Sequence, residues 1–193
     1  MRIEHLRLDN KDMVVGIAEL HNSNNLKQQE LLQLATSMSN EILTVQLLNG
    51  QLIANEIHLL SAIKNAIKAQ QGGYMISRSL DVEVIVFASA QRQIGRALED
   101  LGVYDELEEL ALVVIGTDSS KVEHSIKELA DAIGAEVIPS FRVSEDRIER
   151  VKQHFQIGDK EINALSDSDT LQSKLDALSR CIVSRVSLVA FDT

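Results

Sequence analysis

The chain has 193 residues, 45% of them apolar, and a formal charge of −10 from 29 acids against 19 bases. That is enough apolar material for one buried core, and no apolar run approaches the roughly 20 residues of a bilayer-spanning helix. A pI of about 4.9 argues against a protein that coats nucleic acid over its whole surface.

In chain order, Ile3–Leu8 reads as a short strand. Asn22–Asn25 precedes a helix expected over Leu26–Ser39, with Leu31, Leu32, Leu34, Ala35 and Met38 as its apolar stripe. The segment LTVQLLNGQLIA alternates Leu43, Val45 and Leu47 with Thr44 and Gln46, then meets Asn49-Gly50. That pair tolerates the positive φ of a type I′ turn, so a hairpin is expected. From Asn55 to Gln71 the period is helical: Leu59, Ala62, Ile63, Ala66 and Ile67 point inward, Ser61, Lys64, Lys68 and Gln71 outward, and Gly72-Gly73 closes the helix.

The run Val82–Phe87 is ambiguous by period alone. Its β-branched residues suit a strand; a buried helix starting after Ser79, with Glu83 in an inexact capping arrangement, is equally admissible. In the next helix Ile94, Ala97, Leu98 and Leu101 share a face, Arg92, Arg96 and Glu99 fall almost opposite, and Gly102 is a natural stop. Leu110–Ile115 reads as a central strand. Ser120-x-x-Glu123 is a capping-box pattern opening a helix that Gly134 ends. Ala135–Ile138 is a short strand, helices are expected around Asp146–Phe155 and Thr170–Ile182, and Arg185–Phe191 is read as a last strand. The 144–169 region carries little recognisable pattern. Strands and helices alternate without strict βαβ repetition, so the expected fold is α+β, a single sheet packed with helices in one domain over residues 1–193.

No catalytic constellation emerges. The five histidines are scattered, Cys181 has no partner cysteine and sits in an apolar run, and no phosphate-loop glycine pattern occurs. Asp118-Ser119-Ser120 could hold an anion at a helix N-terminus, although capping is the commoner use of such residues. No catalytic residue, metal or cofactor is expected.

The charge is uneven, however. Between Ile57 and Leu98 there are five bases (Lys64, Lys68, Arg78, Arg92, Arg96) and two acids (Asp81, Glu83), a net of +3 that leaves −13 for the rest. Such an island is either an ordinary solvated face or a field for phosphate. Tyr74, beside the glycine pair and near Arg78, is a candidate stacking platform or a loop tyrosine packed on its own domain.

The succession HLLSAIKNAIKA, SRSLDVEVIVFASAQRQIGRALEDLGV and LALVVIG, densest from His58 to Gly116, resembles the kinase-binding subunit of the KEOPS tRNA-modification complex (the TPRKB-like family). The resemblance implies a helical rather than extended Val82–Ser89. It also implies a non-catalytic accessory subunit that docks on an atypical kinase-like ATPase and helps hold the CCA end of tRNA during threonylcarbamoyladenosine synthesis. Independently, the N-terminus MRIEHLRLDN has charges where a signal peptide needs its apolar run, so a cytoplasmic location is expected. On the family reading Lys64, Lys68, Arg78, Arg92, Arg96 and Tyr74 are candidate tRNA contacts. Ile94, Ala97, Leu98 and Leu101 are either core or the kinase-facing surface, and two copies could pair where the kinase is absent. Two rival readings stay open: a small-ligand regulatory domain using Asp118–Ser120, and a protein-interaction scaffold without RNA contact.

Overall fold

The computed structural model describes residues 1–8, 11–38 and 42–190. Five strands, β1 (Arg2–Leu8), β2 (Lys11–His21), β3 (Thr44–Asn49), β4 (Glu109–Gly116) and the two-residue β5 (Ala135–Glu136), form one antiparallel sheet in the order β1-β2-β4-β3, with β5 on β2. Among the described residues eight α-helices surround it: α1 (Gln28–Ser37), α2 (Glu56–Gly72), α3 (Leu80–Ala88), α4 (Ile94–Leu101), α5 (Ser119–Ile133), α6 (Glu145–His154), α7 (Asp159–Leu165) and α8 (Leu171–Leu188). The fold is α+β with a single sheet, as the sequence suggests.

Side-chain alternation divides the core into two layers. Val15, Ile17, Ala111, Val113 and Ile115 point to the face covered by α2, α3 and the C-terminal helices. Val14, Ala18, Leu110, Leu112 and Val114 point to the face covered by α1 and α5. Both faces of β2 and β4 are therefore dry. This explains why β2, the longest strand, escapes a search for polar alternation: Met13–Leu20 is a buried run with no solvent side.

Three expectations are corrected. Asn49-Gly50 does not turn a hairpin; the chain passes into a 3-10 turn over Gly50–Leu52, where the Asn49 side chain accepts from the Gln51 amide at 3.1 Å. Gly50 is there for proximity: a Cβ would stand 2.8 Å from the Leu110 carbonyl carbon. Arg185–Leu188 is not strand but the last turn of α8, and Arg185 donates to the Phe155 carbonyl at 2.6 Å. The remainder of that expected strand includes Phe191, outside the described residues, as is Ser39 of the first helix. Finally, α5 is capped by Asp118, whose carboxylate accepts from the Lys121 amide at 3.0 Å, and not by Ser120. A carboxylate at that N-terminus already supplies the negative charge a bound anion would bring, which weakens the small-ligand reading.

The 144–169 region proves ordered around one buried group. Arg147, on α6, donates to the Gly50 and Ile53 carbonyls, both at 2.9 Å, and to the Glu19 carboxylate of β2. One guanidinium thus ties α6 to the 3-10 turn and to the sheet. Its five-donor fork suits a site with several acceptors.

Candidate partner and nucleic-acid surfaces

Helix α2 begins at Asn55, whose side chain accepts from the Ile57 and His58 amides at 3.1 and 3.2 Å. The Ser179 hydroxyl of α8 donates to the same oxygen at 2.8 Å. The inward residues Leu59, Ala62, Ile63, Ala66 and Ile67 are fully buried against α3, α8 and the sheet. Lys64 and Lys68, one turn apart, are left exposed. The helix ends at Gly73 in the left-handed region, φ 70°.

Val82–Ala88 is helical, resolving the ambiguity of the sequence. The helix is so deeply buried that its apolar residues surround it and no amphipathic period survives. Its single inward acid matters most for the surface. Glu83 is fully buried and does not cap Ser79; it accepts from the Ile76 and Ser77 amides at 3.0 and 2.7 Å. The Ser77 hydroxyl donates to the Ser79 carbonyl at 2.8 Å. These bonds fix the loop between α2 and α3 and leave Arg78 exposed. An acid inside a run of valines is the sequence signal for such an anchor, since a buried carboxylate needs donors nearby. Tyr74 is 51% exposed and lies against Gly72, where a Cβ would be 2.4 Å from its ring.

The far end of α3 is held by a histidine. His58, fully buried on α2, places Nε2 2.8 Å from the Ala88 carbonyl, and the Ala54 amide donates to Nδ1 at 3.4 Å. A carbonyl can only accept, so Nε2 carries the proton and the ring is neutral. Burial pushes its pKa down to about 4, against the Ala88 bond that favours the charged form. The ring of Phe155 meets it edge-on. The α2–α3 pair is thus antiparallel: the start of α2 is level with the end of α3, Lys68, Tyr74 and Arg78 lie toward the opposite end, and Lys64 stands at mid-helix.

Arg92 and Arg96 follow α3, so the nine residues of that helix, about 13 Å of axis, separate them from Arg78. Arg78 and Arg92 therefore stand at opposite ends of α3. Arg92 also has a structural tie, donating to the Val189 carbonyl just past α8 at 2.7 Å. Lys64, Lys68, Arg78 and Arg96 have no salt-bridge partner among the described residues. On α4, Ala97 and Leu101 are fully buried, while Ile94 is half-buried and Leu98 is 42% exposed. Two of the four residues weighed as kinase-facing are therefore core, and Ile94 and Leu98 alone can meet a partner.

Cys181 is buried, and burial pushes its thiol up, away from a reactive thiolate. Among the described residues no three His, Cys, Asp or Glu side chains cluster as a metal site, and no helix is long and apolar enough to cross a membrane.

One antiparallel sheet between two core layers carries exposed bases and a partly exposed α4 face. The family model for the kinase binding protein CGI-121 matches residues 17–190, and the chain belongs to that family. It is 30% identical over 125 residues to the regulatory protein Cgi121 of Methanocaldococcus jannaschii, covering 62% of this chain and 78% of that relative.

Proposed function

We propose that this protein is a non-catalytic, cytoplasmic accessory subunit of the KEOPS complex that binds the atypical kinase-like ATPase and helps recruit the CCA end of tRNA. Membership of a kinase-binding family across residues 17–190 supports the kinase-binding part of this reading. The tRNA part is supported by the bases along the second half of α2 and the loop after it: Lys64, Lys68 and Arg78 are exposed, lack an acidic partner among the described residues, and stand in a chain that is otherwise acidic. Such a field draws the phosphates of a single strand, and Tyr74 offers a ring for an unpaired base. Arg96, beyond the far end of α3, offers a further exposed base. Arg92 contributes through its remaining guanidinium donors, beyond the one engaged by Val189. Ile94 and Leu98 form part of the kinase-facing surface; without the kinase, the same apolar surface is available to a second copy.

The test is tRNA affinity against salt for the wild type and for Lys64→Glu with Arg78→Glu. Loss of about two phosphate contacts lowers the slope of log affinity against log salt by roughly 1.4 for single-stranded RNA. A scaffold without RNA contact gives the same weak binding for both proteins.

A further inference from the structure

β3 is the terminal strand of the sheet, and it pairs on one side only, with β4; among the described residues no strand covers its other side. Edge strands normally carry a charge, a proline or a bulge that blocks further pairing. Thr44-Val45-Gln46-Leu47-Leu48-Asn49 carries neither charge nor proline. Its Asn49 end is near the segment by which the chain changes face: Ala97 and Leu101 of α4 lie in one core layer, Val103 and Leu107 in the other. The Thr44 half opens into a groove of 330 Å³. Leu32 and Ala35 of α1 form one wall, Leu80 and Asp81 of α3 the other, and Thr44–Leu47 the floor. Leu32 and Leu43 are 47% and 54% exposed on its rim, large apolar side chains that a finished surface would cover.

We infer that this groove takes an extended apolar segment of the partner kinase as an added strand on β3; the inference rests on the kinase-binding role proposed above. The walls decide the occupant. Because helices stand on both sides of β3, the same edge of a second copy is equally recessed, and the two strands cannot approach to the roughly 4.8 Å of a sheet pair. A single extended segment, without flanking helices, can enter. Alternation of an added strand would send every second side chain toward Leu32 and Ala35, which asks for apolar residues, and the others toward Leu80 and Asp81. Among the described residues Asp81 is the one charged side chain lining the groove, so the entering segment carries a base at that end.

Hydrogen exchange of the chain with and without its cognate kinase, together with kinase affinities for Leu32→Asp and Leu43→Asp, tests this. Both substituted side chains are substantially exposed, so the variants keep the wild-type melting temperature. The expected result is at least tenfold slower exchange of amides in Thr44–Leu47 on adding kinase, and at least tenfold weaker kinase binding by each variant. Equal kinase affinity for wild type and variants, or protection confined to α2 and α8, overturns the groove and leaves the kinase-binding role standing. A wild type that fails to bind the kinase overturns both. A concentration-dependent dimer that alone protects Thr44–Leu47 assigns the groove to a second copy and overturns the inference.

Discussion

Glu83→Gln is the most instructive single change, because it links the core to the proposed RNA surface. The carboxylate is fully buried and each oxygen accepts one amide, Ile76 at 3.0 Å and Ser77 at 2.7 Å. Gln keeps the shape but has one acceptor; its NH2 would face an amide N–H. One charge-assisted bond is lost and a buried donor is left unpaired, together about 3 kcal/mol. The loop that presents Arg78 should loosen with it. Urea unfolding should show the destabilisation, and hydrogen exchange should show the Ile76 and Ser77 amides opening faster than the core of α2. tRNA affinity should fall although no base has been touched. Stability within ~0.5 kcal/mol of wild type, with both amides still protected, would refute the anchoring role.

Three further outcomes follow from the same geometry. Stability should fall with acid through His58: its folded pKa, about 4, lies below the unfolded 6.5, so the unfolded chain takes the proton first. The contribution is intact above pH 6.5 and erodes by about 1.4 kcal/mol per pH unit toward pH 4, an extent of order 3 kcal/mol that His58→Gln should remove from the unfolding free energy measured across that window. Half-buried His154, also shifted down by burial, adds to the wild-type slope and remains in the variant. Arg147→Met should cost about 3–5 kcal/mol in denaturant melts, since it strands Glu19, and Glu19→Gln with Arg147→Met should recover much of it. Arg92→Ala should cost about 1 kcal/mol and speed exchange near Val186–Val189, because it removes the tie to the Val189 carbonyl.

Much of the architecture could be read before any coordinates. The helical period of α2, its inward face, the exposure of Lys64 and Lys68 and its Gly72-Gly73 end all stand, because each is set within the segment itself, whereas Gln71, expected outward, is half-buried and donates to the Leu8 carbonyl of β1. What escaped was decided elsewhere in the molecule. β2 shows no polar alternation because helices cover both its faces. Asn49-Gly50 has the chemistry of a hairpin turn, yet Gly50 is required by the backbone of β4 passing beside it. The β-branched end of α8 stays helical, with Ser184 and Ser187 donating back to the Arg180 and Val183 carbonyls. For the surfaces, the sequence marked the bases but not their spacing. Only the burial of α3 shows that Arg78 and Arg92 stand at opposite ends, and only the Val189 carbonyl shows that Arg92 has another use.

The most direct test of the central claim is crosslinking of tRNA to the chain while it is bound to its cognate kinase, with the crosslinked peptides mapped by mass. The account predicts a stable complex with the kinase and crosslinks concentrated between Lys64 and Arg78. Crosslinks confined to the α5 face, or a complex that forms and captures no tRNA, would contradict it.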